Sequence, residues 1–234
     1  MNVTILGGGA WGTAIAIHLA KYQSQIPNSK ITLWVRDAIK AQEMFDTRIN
    51  AQYLPSIELP LNLNITSDWD FALGQVMTSE DLVVIATPLA ALGEIAEQLC
   101  QRNLENNQVI QHWLWLCKGI EASSGMLPHE IVEKALQTQG MTSAIHYGVL
   151  SGPSFAKEVA QGLPCALTVA SQFNDLNEMT QTLFHQKSMR IYVTDDITGV
   201  ELGGAIKNVL AIATGIADGL ELGLNARAAL ITRG

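Results

Sequence analysis

Lys207 is the residue whose neighbours in sequence most demand a chemical role. It is the only charged side chain between Leu202 and Ala217, in a segment that also holds Ile206, Val209, Leu210, Ile212 and Ile216. Burying an ammonium among such residues is costly. On a 3.6-residue period Gly203, Gly204, Lys207, Ala211 and Thr214 share one side of a helix, and Ile206, Val209, Ala213 and Ile216 the other. A lysine on a face of small residues leaves room for a ligand. Withdrawal from water lowers its pKa from about 10.4 toward neutrality, and such a group can exchange a proton with a substrate oxygen. The competing arrangement is a lysine that extends its head to the surface or pairs with Glu201.

A second constellation is Gly7-x-Gly9-x-x-Gly12, directly after the apolar run Val3 to Leu6 and at the start of a helical pattern. In that context Gly7 permits a tight turn, Gly9 lets a pyrophosphate approach the backbone, and Gly12 lets helix and strand pack closely. The helix N-terminus offers free N–H groups to the phosphates. Dinucleotide binding is the expectation. The second apolar run ends Trp34-Val35 and is followed by Arg36-Asp37. Arg36 is suited to clasp a 2′-phosphate, which favours NADP, and Asp37 to bind the free 2′-hydroxyl of NAD. The expectation leans to NADP, with NAD tolerated.

Lys118-Gly119 closes the strand that carries Trp113 and Trp115, which places an ammonium at the carboxyl end of a central strand, where ligands of open α/β sheets bind. The two tryptophans, spaced by two, are expected in the core. The next strand ends in Ser151-Gly152-Pro153-Ser154 and runs into a helix beginning Phe155-Ala156, with Ser154 as its expected N-cap and the turn as a second anion cradle. No Gly-x-x-x-x-Gly-Lys-Ser/Thr phosphate loop and no Gly-x-Ser-x-Gly nucleophile turn is present. His18, His112, His129, His146 and His185 are scattered without ligand spacing, so no metal is expected.

The elements that must hold these residues alternate. Strands are predicted at Val3 to Leu6, Ile31 to Val35, Leu63 to Thr66, Leu82 to Ala86, Val109 to Cys117, Ile145 to Leu150, Ala166 to Ala170 and Arg190 to Val193. Helices are predicted at Trp11 to Lys21, Ala38 to Asn50, Leu89 to Arg102, Leu127 to Gln139, Phe155 to Gln161 and Leu176 to His185. This alternation implies an α/β fold, a Rossmann-like and mostly parallel sheet with helices on both faces. After Asp195-Asp196 the pattern becomes all-helical, over Ile197 to Ala217 and Asn225 to Arg233. The expected organisation is a dinucleotide-binding domain over residues 1–195 and the beginning of a helical substrate domain over residues 196–234. The last helix has nothing after it to pack on, so a chain cut within that domain is expected.

Composition sets the outer limits. The 234 residues hold 22 acidic and 14 basic side chains, a net charge of −8, and 48% apolar residues. Charged residues make up 15%, against about 25% in an average soluble protein, which excludes disorder. With no Lys/Arg cluster, neither a nucleic acid nor an anionic membrane surface is an expected partner. Cys100, Cys117 and Cys165 form no paired spacing, which fits a reduced, cytoplasmic protein. Met1 to Ala20 carries no Lys, Arg, Asp or Glu, yet Gly7, Gly8, Gly9 and Gly12 interrupt it, so neither a signal peptide nor a membrane span is expected there. No other stretch is expected to come closer.

The block Gly7-Gly8-Gly9-Ala10-Trp11-Gly12-Thr13-Ala14, Lys118-Gly119, Ser151-Gly152-Pro153-Ser154-Phe155-Ala156, Glu201-Leu202-Gly203-Gly204-Ala205-Ile206-Lys207-Asn208, and Asn225-Ala226-Arg227 through Leu230-Ile231-Thr232-Arg233-Gly234 together resemble the NAD(P)-dependent glycerol-3-phosphate dehydrogenases. The likeness spans the whole chain. It implies hydride transfer between NADP or NAD and the dihydroxyacetone phosphate/sn-glycerol 3-phosphate pair, feeding phospholipid synthesis. By it, Lys207 is the proton donor and acceptor with Asn208 beside it, and Lys118 touches both cofactor and substrate. Gly152 and Ser154 fall in the substrate-binding turn, and Ala156, Ala10, Trp11 and Arg36 at cofactor positions. A homodimer through the helical domain is also implied. In the family that domain continues and bears an aspartate and an Arg-Asn pair that grip nucleotide and substrate phosphate. Residues 1–234 alone are therefore expected to bind nucleotide but turn over poorly. A hydroxyacid or ketopantoate-type dehydrogenase would share the glycine loop and an active lysine. A non-catalytic NAD(P)H sensor would share the loop alone.

Overall fold

Strand β1 (Val3–Leu6) is buried at all four positions, which requires helices on both faces of the sheet it joins. The computed structural model describes residues 1–23, 29–106 and 110–233. Strand β1 leads into α1 (Ala10–Tyr22), and β2 (Ile31–Trp34) into α2 (Ala38–Thr47). A hairpin of β3 (Ile49–Asn50) and β4 (Leu54–Glu58) precedes β5 (Asn64–Thr66), α3 (Trp69–Leu73) and β6 (Leu82–Ile85). A 3-10 turn at Leu89–Ala91 opens α4 (Leu92–Asn106), followed by β7 (His112–Trp115) and α5 (Pro128–Thr138). Strand β8 (His146–Ser151), α6 (Ala156–Gln161), β9 (Cys165–Ala170), α7 (Asn174–Phe184) and β10 (Met189–Thr194) follow, then α8 (Ile197–Gly219) and α9 (Gly223–Arg233).

Eight strands form one sheet in the order β10-β9-β8-β7-β6-β1-β2-β5. All neighbours are parallel except β8 and β9, so the last two strands run against the other six. The chain leaves β1 toward β2 on one side and returns to β6 on the other. The strand order therefore reverses between β1 and β6, and a crevice opens there at the carboxyl ends. Two apolar layers flank the sheet. Val3, Ile5, Leu114 and Leu116 pack with α1 and α7 on one face, and Leu6, Trp113 and Trp115 with α4 and α5 on the other.

The mostly parallel α/β class is as expected, and several boundaries move. The predicted helix Ala38 to Asn50 stops at Thr47 because Arg48 adopts a left-handed backbone and Ile49 and Asn50 pair with β4. Neither the hairpin nor α3 is heralded by an apolar period, although Asp68 caps α3 by accepting the Phe71 N–H at 2.9 Å. Ser154 is not an N-cap: Phe155 takes that position without a side-chain bond, and the Ser154 hydroxyl turns back to the Gly152 carbonyl at 3.3 Å. Val109, the predicted start of its strand, lies outside the described residues, as do Ser24 to Asn28 of the connection before β2.

The expectation that no stretch rivals the N-terminus as a membrane span is corrected by α8. This 23-residue helix contains an 18-residue window with a mean hydropathy of 1.3 and meets the length and composition of a crossing helix, with 11% of that window buried. Cys100, Cys117 and Cys165 are free thiols. Burial pushes the first up to about 11 and the second to about 12, which leaves both poor nucleophiles.

His18 on α1 is 3% exposed and bonds through Nε2 to the Phe184 carbonyl at 3.0 Å. Desolvation holds its pKa down at about 4. The unfolded chain takes up a proton near 6.5 and the folded chain does not, so stability is full above that value and falls as pH drops from about 6.5 to about 4. The gap corresponds to on the order of 3 kcal/mol. Urea unfolding between pH 7 and pH 4 should show this decline, and His18→Gln should flatten it.

Candidate active site

The crevice between β1 and β6 is shaped by glycines with distinct surroundings. Gly7 has φ +128°, and a β-carbon there would lie 2.7 Å from the Ala86 carbonyl oxygen. A β-carbon on Gly12 would strike the Gly7 carbonyl and the Ala86 methyl. Helix α1 can therefore start against the ends of β1 and β6 only because these positions lack side chains. Gly9, the N-cap of α1, has nothing within 4 Å of where a β-carbon would stand, so its backbone faces open space. Asn50, a residue without a signal in the sequence, braces the loop. Its buried amide donates to the Gly8 carbonyl at 3.0 Å and the Thr13 hydroxyl at 2.8 Å.

Two buried polar atoms near this loop have no hydrogen-bond partner among the described residues, the Trp11 indole Nε1 and the Thr87 hydroxyl. Trp11 lies in the first turn of α1, beside Ala10, and Thr87 follows Ala86 just past β6. Orphaned buried donors call for a ligand atom or water. Past β2, Arg36 is exposed and makes no hydrogen bond or ion pair among the described residues. Asp37 is committed elsewhere, since its Oδ1 caps α2 by accepting from Ile39 N at 3.0 Å and Lys40 N at 3.2 Å. Of the two residues weighed for the ribose, the arginine is unbonded and the aspartate has one of its two oxygens engaged.

Lys118 stands two strands from β1, at the carboxyl end of β7. Its ammonium donates to the Gly152 carbonyl at 2.9 Å. Burial and, second, the Lys207 ammonium lower its pKa to about 8. Gly152 has φ +152°, and a β-carbon there would press on the Ala166 carbonyl at 2.8 Å. Helix α8 crosses this point through Gly204, whose missing β-carbon would lie 3.2 Å from Ser151 Oγ and 3.5 Å from Lys118 Cγ. One turn further on, Lys207 and Asn208 project from the same small-residue side.

The expectation of a desolvated Lys207 is corrected here: Lys207 and Asn208 are both exposed, and the lysine on which burial acts is Lys118. Among the described residues neither Lys207 nor Asn208 makes a side-chain hydrogen bond or ion pair. Nor does Lys207 pair with Glu201. Glu201, 3% exposed, accepts from Trp115 Nε1 at 2.8 Å, His129 Nδ1 at 2.6 Å and the His129 backbone N–H at 3.1 Å. Burial raises its pKa, and the bonds from His129 and Trp115 oppose the rise. Ser154 and Ala156 sit on the turn and first residue of α6, next to Gly152.

A family model described as the N-terminus of NAD-dependent glycerol-3-phosphate dehydrogenase matches residues 2–177, and one described as its C-terminus matches residues 196–234. The chain is 50% identical over 235 residues to the glycerol-3-phosphate dehydrogenase [NAD(P)+] of Cupriavidus taiwanensis, with 100% of this chain and 67% of the relative covered. It is 52% identical to that of Herminiimonas arsenicoxydans, over 100% and 65%. The crystal structure of the Coxiella burnetii glycerol-3-phosphate dehydrogenase superposes with a TM-score of 0.80 at 37% identity, over 99% of this chain and 65% of that one. The chain thus spans about two thirds of the length of the relatives it matches. On the strength of both matches and of full-length identities near one half, the chain belongs to the NAD-dependent glycerol-3-phosphate dehydrogenase family.

Proposed function

We propose that the chain forms the nucleotide-binding part and first helices of an enzyme that interconverts dihydroxyacetone phosphate and sn-glycerol 3-phosphate with NADPH or NADH. Residues 1–195 are the dinucleotide-binding domain and residues 196–234 open the helical substrate domain. The observation that carries the reading is the convergence of two ammonium groups, Lys118 and Lys207, at the sheet edge that also holds the open glycine loop. The pyrophosphate lies over Gly7, Gly9 and Gly12 at the N-terminus of α1. Ala10, Trp11 and Ala156 contact the nucleotide, and Arg36 pairs with a 2′-phosphate.

A bound nicotinamide supplies the hydride. The chain's residues position the substrate and handle the proton. Lys118 and the turn of Gly152 and Ser154 orient the phosphorylated substrate, with Asn208 as a further polar contact. As the carbonyl oxygen gains charge, the two ammonium groups stabilise it, and Lys207 delivers the proton that makes the alcohol. In the reverse direction the lysine accepts that proton. The product would supply glycerophospholipid synthesis. The enzyme is read as soluble and cytoplasmic, in keeping with three free thiols, and as a homodimer in its complete form. The buried Glu201 contacts, which dock α8 on protein, support a packed helix over a membrane-crossing one.

Lys207→Ala, placed in a chain carrying the full helical domain of the relatives, should lower turnover by roughly 10²-fold or more. Nucleotide affinity, read by fluorescence titration, should stay within about threefold. An unchanged rate would reduce the lysine to a structural role. Parallel titrations of residues 1–234 with NADH and NADPH test the ribose assignment. Arg36→Ala should weaken NADPH by roughly tenfold, the equivalent of about 1.4 kcal/mol, and leave NADH unchanged. Equal weakening of both would remove the 2′-phosphate role.

A further inference from the structure

At the edge of the sheet opposite the crevice, two histidines that sequence spacing keeps apart become neighbours. His112 opens β7, His146 opens β8, and the two are register partners in parallel strands. Strand β9 runs back to the same edge, and the first turn of α7 brings Asp175 against them. Asp175 Oδ2 accepts from His112 Nε2 at 3.0 Å and from His146 Nδ1 at 2.6 Å. The other carboxylate oxygen, Oδ1, accepts the Leu176 N–H at 2.9 Å. The three ligand-type atoms lie within 4.8 Å of one another.

We propose that His112, His146 and Asp175 form a binding site for a divalent transition metal of the zinc class. Two imidazole nitrogens and one carboxylate oxygen suit zinc, cobalt or nickel far better than calcium or magnesium, which take all-oxygen shells. Tetrahedral zinc with bonds near 2.0–2.1 Å sets its ligand atoms about 3.4 Å apart. The two histidine-to-Asp175 spacings, 3.0 and 2.6 Å, need to open by less than about 1 Å for an ion to replace the two shared protons. The two imidazole nitrogens already lie within 4.8 Å of each other. The scaffold is fixed where it should be and loose where it can yield. The His112 side chain is 3% exposed on a central strand, whereas Asp175, at 49%, is free to shift and gives the ion a way in.

The surroundings favour a dedicated pocket over a chance ion pair. The His146 ring stacks on Phe173 at 4.4 Å between centroids and lies edge-on to His112 at 5.4 Å, which holds both imidazoles in place without a further charge. Gln111 Nε2 comes within 3.4–3.5 Å of the His146 ring nitrogens. Three protein ligands leave at least one position for water. The ion would clamp β7, β8 and α7 at the edge remote from the nicotinamide site. Its effect is therefore on stability and not on the reaction.

The test uses cobalt and zinc ions with the 234-residue chain after chelator treatment. One equivalent of cobalt should produce visible d–d absorption that zinc abolishes, and zinc should raise the melting temperature. Asp175→Asn and His146→Gln, both at partly exposed positions, should keep the native circular dichroism and weaken metal uptake by roughly tenfold or more. His185→Gln should change nothing. Absence of a saturable cobalt band in the unsubstituted chain would overturn the proposal. So would equal uptake by the Asp175→Asn and His146→Gln variants, which would place the metal elsewhere.

Discussion

One buried carboxylate decides where the helical segment meets the sheet. Glu201 reaches down from α8 to Trp115 on β7 and His129 on α5, and three donors meet its two oxygens. A carboxylate this far from water is tolerated only when so satisfied. The bond network therefore fixes both the depth and the rotation of α8. With Glu201 turned inward, Gly204 is brought against Ser151 and Lys118, and Lys207 lies one turn beyond on the crevice side. The juxtaposition of the two lysines rests on an interaction in which neither takes part.

The nucleotide side of the crevice rests on a different constraint, the absence of side chains. At Gly7 and Gly12 any β-carbon would overlap backbone or the Ala86 methyl, so the turn and the helix start are held by steric fit. At Gly9 the same absence leaves space. Asn50 then ties the loop to the hairpin. The hairpin thus has a positioning role although it adds nothing to the main sheet. Because the loop is braced on both sides, the free N–H groups of α1 are held for a ligand before one arrives.

How much of this was legible in the sequence follows from the range over which each signal acts. Buried parallel strands such as β1 and β6 announce themselves by unbroken apolar runs, and the glycine loop by a fixed spacing beside one of them. The hairpin of β3 and β4 is short, and Asn50 within it reads as the tail of a helix. Lys207 stood out through its apolar neighbours, but those neighbours, among them Val209 at 65% exposed and Ile212 at 64%, are not buried. An apolar segment reports that a surface is to be covered, without saying by what. The His112, His146 and Asp175 cluster left no local trace, because strand register and a reversed β9 assemble it from positions far apart in the chain.

The exposed side of α8 and α9 bears on how the two lysines divide the chemistry. Lys118 is withdrawn from water by β7, β8 and Gly204, and its pKa of about 8 reflects that burial together with the like charge of Lys207. Two ammonium groups in one place repel, and the repulsion is relieved when a negatively charged oxygen arrives between them. Under the proposed function a substrate phosphate or developing alkoxide is such a group. The like charge of Lys207 disfavours the charged form of Lys118, and an arriving anion offsets that repulsion. The preference of this edge for an anion thus follows from the docking geometry that Glu201 imposes. Any element that later covers the small-residue side of α8 would exclude water and strengthen that preference, since the same charges interact more strongly as the local dielectric falls.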